Sequence, residues 1–301
     1  MKVAITGASG LVGAALVPFL KTGGHEVVRL VRRSPMASDE ARWDPARGEI
    51  DRAALDGVDA VVHLAGENIA QGRWTAARKA ALRGSRIGPT HLLAQTLAGL
   101  QRPPNVLVSS SAVGYYGDRG DAWVDETSPP ADDFLGRLAR EWEQATDPAA
   151  CVDIRVVRLR TGLVLTPEGG ALGRMLLPFK VGLGGVLGPG TQYMSWIAID
   201  DLLGVIHLAL TTAAIAGPVN AVAPAPVTNR EFTKTLGRLL GRPTVARAPA
   251  FTLRLVFGEM ANAALLASTR VKPERLLAAG YRFRFPELEG ALRHLLGRTR
   301  R

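Results

Sequence analysis

Lys2-Val3-Ala4-Ile5 is a short apolar run with the composition of a buried strand, and it passes without a break into Thr6-Gly7-Ala8-Ser9-Gly10-Leu11-Val12-Gly13. This glycine turn opens an apolar helix over Leu11 to Leu20, and His25-Glu26-Val27-Val28-Arg29-Leu30-Val31 supplies a second strand after it. The three glycines have separate uses. Gly7 allows a sharp turn off the strand, Gly10 has no β-carbon to hold the backbone away from a pyrophosphate, and Gly13 lets the helix lie close to the sheet. Free N–H groups and the positive end of the helix dipole then face phosphates. Strand, turn, helix and second strand together read as a dinucleotide cradle, with Ser9, Leu11 and Val12 beside the glycines as contacts.

The end of the second strand bears on which dinucleotide fits. An acid about 20 residues past the glycines commonly holds the adenosine ribose hydroxyls of NAD, whereas NADP needs positive charge for its 2′-phosphate. Here the chain offers Arg32 and Arg33, and a guanidinium binds phosphate through paired hydrogen bonds, which favours NADP over NAD. The competing reading is that these arginines end a strand in water.

At 301 residues, 47% hydrophobic and 21% charged, the chain has material for a substantial core. No uninterrupted apolar run reaches membrane-spanning length, and Met1-Lys2 leads straight into the first strand, so a cytoplasmic protein is expected. Cys151 is the only cysteine, which excludes an internal disulfide and a thiolate metal cluster. The five histidines lack ligand spacing, and no metal site is expected. The net charge of +10 raises nucleic-acid binding. The basic residues are nearly all arginine and are spread along the chain without a recognised binding signature, so no specific nucleic-acid partner is expected. The tail arginines Arg298, Arg300 and Arg301 read as a solvated end.

Strand and helix signals alternate through the first half, the pattern of an α/β fold with a doubly wound parallel sheet. Val58 to Gly66 enters a buried strand ending in the small residues Leu64-Ala65-Gly66, where backbone must approach something closely. Residues 74–100 have helical composition with a break expected at Gly88-Pro89. Val106-Leu107-Val108-Ser109-Ser110-Ser111 is a buried strand carrying hydroxyls at its carboxyl end, the edge at which such sheets bind ligands. An acidic stretch from Asp118 to Asp133 reads as an exposed loop, and a helix follows around Phe134 to Thr146. The glycine-rich 182–190 segment either closes over a ligand or links two lobes. Beyond Val227 helices dominate.

Thr6-Gly7-x-x-Gly10-x-x-Gly13, Leu64-Ala65-Gly66, Ser109 through Gly117 and Ser195-Trp196-Ile197-Ala198-Ile199-Asp200-Asp201-Leu202 resemble the extended short-chain dehydrogenase/reductases. Gly66-Glu67-Asn68-Ile69, Arg160-Thr161-Gly162-Leu163-Val164-Leu165 and the 249–260 motif resemble its atypical epimerase-family branch, an NAD-dependent epimerase/dehydratase-like group with its own C-terminal domain. The resemblance covers nearly the whole chain. It implies a Rossmann-type doubly wound sheet over 1–165, with 195–222 returning to it. It further implies a smaller, mostly helical C-terminal lobe of 166–194 and 223–301 on the substrate side. The cofactor implied is NADP, and the substrate a small molecule such as a sugar nucleotide or another carbonyl or hydroxyl compound. Such folds often pair through helices, which leaves a homodimer open.

In active members of the group a serine or threonine polarises the substrate while a Tyr-x-x-x-Lys pair transfers the proton, the lysine lowering the tyrosine pKa. Ser111 matches the first role. Phe134 and Leu138 stand at the tyrosine and lysine positions, and no lysine occurs between Lys79 and Lys180. Tyr116, or its neighbour Tyr115, is a candidate replacement donor, and Glu67 a candidate base. Arg86 replaces the usual asparagine-bearing segment and is a candidate cofactor contact. So are Leu64, Ala65, Gly66, Ser109 and Arg160, the last with a structural ion pair as the alternative. Two functions follow: an NADP-dependent oxidoreductase or epimerase-like enzyme with a non-standard proton donor, or a non-catalytic NADP-binding sensor or regulatory protein.

Overall fold

The computed structural model describes residues 1–298, so Arg300 and Arg301 lie outside the described residues. In chain order come β1 (Lys2–Thr6), β2 (Glu26–Val31), β3 (Glu40–Asp44), β4 (Glu49–Ile50), β5 (Ala60–His63) and β6 (Val106–Ala112). The two-residue β7 (Trp123–Val124) lies outside the main sheet, and β8 (Arg155–Thr161) rejoins it. Four short strands follow, β9 (Leu163–Leu165), β10 (Gly185–Leu187), β11 (Tyr193–Met194) and β12 (Trp196–Ala198), before β13 (Gly217–Ala221) closes one edge. The sheet order is β13-β8-β6-β5-β1-β2-β3-β4, and only the β3–β4 pair is antiparallel. The winding reverses between β1 and β5, where a doubly wound sheet leaves a crevice at the carboxyl ends of its strands.

Why the strands read as continuous apolar runs is visible in the two cores they separate. Val3, Ile5, Val62 and Val108 face Leu16 and Leu20 of helix Leu11–Thr22 and Val205 and Ile206 of helix Ile199–Thr211. Ala4, Val61 and Leu107 face Leu93, Ala94 and Leu97 of helix Ile87–Ala98. Each fully buried Val, Leu or Ile contributes about 1.5–3 kcal/mol, so this two-sided alternation fixes the register of the central strands. A third core joins Trp196 to Phe179, Phe232, Leu236, Leu288 and Leu292, and it builds the mostly helical C-terminal region.

Two local expectations shift. The helical stretch breaks at Ser85-Arg86, between helices Ala76–Gly84 and Ile87–Ala98, rather than at Gly88-Pro89. Pro89 falls in the first turn of the second helix, where a missing N–H forfeits no intrahelical bond. The acidic stretch is mostly surface, but Glu126 turns inward to 5% exposure and its Oε1 accepts the N–H of Asn220 at 3.0 Å. No helix among the described residues is long and apolar enough to cross a membrane.

Candidate functional site

At the carboxyl end of β1 the backbone of Gly7 takes φ +68°, and a β-carbon there would sit 2.8 Å from the carbonyl carbon of Leu64. Gly13 is more confined: its β-carbon would lie 2.2 Å from the Gly7 carbonyl oxygen and 2.7 Å from the Ala8 Cα. Gly10 differs from both, since the only atom within 4 Å of its β-carbon position is the Gly7 oxygen, at 3.2 Å. It caps helix Leu11–Thr22 with no side chain bonding the free amides, and Ser9 and Gly10 are exposed. Two glycines thus secure the packing, and the third leaves amides open to an anion.

The neighbouring Leu64-Ala65-Gly66 segment is held by a buried relay. The Leu64 and Ala65 amides both donate to Thr6 Oγ1, at 3.2 and 3.3 Å. With both lone pairs of that hydroxyl engaged, its proton goes to His63 Nδ1, 2.7 Å away. His63 is therefore the Nε2–H tautomer and donates to Thr90 Oγ1 at 2.8 Å, which also accepts the Trp142 indole N–H at 2.9 Å. Burial pushes the His63 pKa down to about 4, so the ring is neutral at pH 7.

A cavity of about 580 Å³ lies beside the cradle, and its wall includes Val12, Glu67, Arg86, Ser111 and Tyr193. Arg86 is 8% exposed; its Nη2 donates to the Glu67 carbonyl at 2.7 Å and its Nη1 to the Leu82 carbonyl at 3.1 Å. Its guanidinium lies 5.0 Å from the centre of the Trp142 ring. Burial holds its pKa below the usual arginine value, at about 10, so it stays charged at neutral pH. Glu67 is exposed at this wall and its carboxylate binds Arg78.

Ser111, 4% exposed, donates to Glu143 Oε1 at 2.7 Å. Glu143 is gripped on both oxygens by Arg160, at 2.8 and 2.9 Å. Arg160 continues to the Tyr116 hydroxyl at 3.0 Å, and Tyr116 donates to Asn220 Oδ1 at 2.7 Å. This network takes in two of the candidate residues. Tyr116 is fully buried, outside the cavity wall, and burial pushes its pKa up to about 12. Arg160 is committed to Glu143 and stacks 3.5 Å from the centre of the Tyr115 ring; it is the structural ion pair, away from the cavity wall.

Ser109 is buried within the sheet, and its hydroxyl has no partner among the described residues. Leu138 lines the cavity, whereas Phe134 packs edge-on against Trp74. Arg33 is held by both carboxylate oxygens of Glu40, at 2.8 and 2.6 Å. The exposed Arg32 side chain has no bonded partner among the described residues, so the adjacent pair divides into one engaged and one available guanidinium.

Two contributors escaped the sequence reading. Glu143 is a buried acid of helix Phe134–Gln144 that reaches the cavity through Ser111, and the only sequence signal for it is its helical spacing from Leu138, Ala139 and Trp142. Tyr193 follows the 182–190 glycines and enters the wall from β11. Ser195 and Asp201 tie the later part of the chain to this region. Ser195 donates to the Thr269 carbonyl at 2.8 Å, and Asp201 receives the amides of Arg284 and Phe285 at 2.8 and 2.9 Å.

Residues 3–221 match the model of the NAD dependent epimerase/dehydratase family, and 248–295 match a domain of unknown function, DUF1731. An epimerase family protein of Mycobacterium bovis is 47% identical over 290 residues, covering 96% of each chain. The crystal structure of the human epimerase family protein SDR39U1 with NADPH superposes with a TM-score of 0.90 at 38% identity, covering 99% of this chain and 100% of that one. A Corynebacterium glutamicum structure described as a nucleoside-diphosphate sugar epimerase matches with a TM-score of 0.83 at 41% identity, covering 99% of this chain and 58% of that one. With a cradle of this geometry at its amino terminus and family agreement along 3–221, the chain belongs to the NAD dependent epimerase/dehydratase family.

Proposed function

We propose that this chain is an NADP-dependent oxidoreductase acting on a small carbonyl or hydroxyl compound bound in the 580 Å³ cavity. The observation that carries the reading is continuity: Val12, on the first turn of the cradle helix, and Ser111, at the reactive edge of the sheet, line one and the same cavity. The cradle suits the cofactor, because Gly10 leaves open the space its pyrophosphate needs and Arg32 offers an unengaged guanidinium to a 2′-phosphate. Gly7, Ser9, Gly10, Leu11, Val12 and Gly13 would hold the phosphates, and Leu64-Ala65-Gly66 the nicotinamide side. When bound, the cofactor supplies hydride transfer. The human relative described with NADPH supports the same choice.

Ser111 keeps a fixed orientation through Glu143, and its oxygen lone pairs remain to accept a hydrogen bond from a substrate hydroxyl. To donate to a carbonyl it must first turn away from Glu143. That commitment, with Leu138 in the wall and Phe134 packed on Trp74, favours a second reading, a sensor that holds NADP without turnover. NADPH consumption in a screen of carbonyl compounds separates the two. The enzyme reading expects consumption that drops at least about 10-fold in Ser111→Ala, about 1.4 kcal/mol of barrier. Absence of turnover throughout, with a protein partner whose binding responds to NADP, supports the sensor.

A further inference from the structure

Most polar groups in the cavity wall are already bonded within the chain. Ser111 donates to Glu143, Ser195 to the Thr269 carbonyl, Thr269 to the Gly117 carbonyl, and Asn229 Oδ1 accepts the Leu187 amide. Much of the remaining surface is apolar, from Leu135 and Leu138 to Met175 and Leu265. Arg86 is the one cation in this wall among the described residues, and the one acid, Glu67, is engaged by Arg78. A guanidinium has five N–H groups; those of Arg86 that are bonded reach Leu82, Ser85 and Glu67, and its Nε has no partner among the described residues. No carboxylate among the described residues binds it directly. A buried, rigidly stacked cation in an apolar chamber is what an oxygen gaining negative charge requires.

We propose that Arg86 receives the substrate oxygen, and that the substrate is a compact apolar carbonyl compound rather than a sugar nucleotide. The proposal rests on the oxidoreductase reading, and it deepens that reading by naming the substrate class. A sugar nucleotide brings a diphosphate and many hydroxyls, and each hydroxyl enclosed without a partner is destabilising. A wall with one cation, with Ser111, Ser195 and Thr269 already committed as donors, leaves among the described residues only the Ser111 lone pairs, the Asn68 amide and the Tyr193 hydroxyl besides Arg86, too few for a sugar nucleotide. An apolar body with a single carbonyl matches it.

The test uses binding to the chain saturated with NADPH, which fills the cradle, followed by calorimetry, with three probes: cinnamate, cinnamyl alcohol and UDP-glucose. Cinnamate has an apolar body with an anionic head and stands in for the charged oxygen. It is expected to bind at least about 10-fold more tightly than cinnamyl alcohol, and UDP-glucose should not displace it. Arg86→Gln should remove the preference while leaving cinnamyl alcohol within about 3-fold of its wild-type affinity, roughly 0.6 kcal/mol. Equal binding of the two cinnamyl probes by the wild-type chain overturns the proposal, as does displacement of cinnamate by UDP-glucose. The wild-type comparison decides even where Arg86→Gln folds poorly. Since no turnover is measured, a cinnamate preference in a chain that consumes no NADPH in the carbonyl screen sinks the oxidoreductase reading, and the substrate assignment with it, while the Arg86 oxygen site stands.

Discussion

Replacing Gly10 and Gly13 by alanine separates cofactor binding from folding. At Gly13 the new methyl would stand 2.2 Å from the Gly7 oxygen and 2.7 Å from the Ala8 Cα, both backbone atoms. Ordinary contact needs about 1 Å more, so the helix has to lift off the strand, an overpacking cost of about 1–3 kcal/mol. For a chain of this size that is a fall of about 2–4 °C in Tm per kcal/mol. At Gly10 the methyl meets a single atom at 3.2 Å, so Gly10→Ala should stay within about 1 kcal/mol of wild-type stability. Its methyl instead occupies space needed by the pyrophosphate, and NADPH should bind at least about 10-fold more weakly. The assay is thermal melting with and without NADPH at 100 times the wild-type Kd. Wild type should gain about 2.7 kcal/mol and Gly10→Ala at most about 1.4 kcal/mol. A Gly10→Ala protein that gains as much as wild type, or a Gly13→Ala protein that melts with it, refutes the division of roles.

Arg32→Ala should weaken NADPH about 10-fold and leave NADH unchanged, whereas Arg33→Ala, whose fork is held by Glu40, should change NADPH far less; fluorescence titration of both variants checks this. His63 is neutral when folded, its pKa lowered to about 4, but titrates near 6.5 when unfolded, so between those values the unfolded chain binds the extra proton. Its contribution is complete above pH 6.5 and falls by roughly 3 kcal/mol as pH drops to 4; urea melts from pH 7 to 4.5 should show a shallower pH slope in His63→Gln than in wild type. Tyr116→Phe strands Asn220 Oδ1 and an Arg160 N–H, which should cost about 1–3 kcal/mol in denaturant melts with kcat and KM unchanged; a selective loss of kcat would support Tyr116 as a donor.

The cradle was legible because its constraints are local: strand, turn and helix sit within residues 2–22, and each glycine answers to a contact that backbone geometry dictates. The strand runs Ala60–His63 and Val106–Ala112 were legible because burial on both faces leaves an unbroken apolar signature. The inner wiring of the site was not. Ser111 and Glu143 are 32 residues apart, and Tyr116 and Asn220 are 104 apart, so their pairing depends on how helix Phe134–Gln144 and β13 pack rather than on any spacing within a motif. Arg32 and Arg33 looked equivalent because nothing local shows that Glu40 reaches back to only one of them. His63 read as one scattered histidine, since its partners Thr6 and Thr90 come from separate elements.

The central claim is that this cradle selects NADP, and calorimetric titration of the wild-type chain with NADPH and NADH side by side tests it most directly. NADPH should bind at least about 10-fold more tightly, a difference of about 1.4 kcal/mol. Equal affinities, or no binding of either nucleotide, would contradict it.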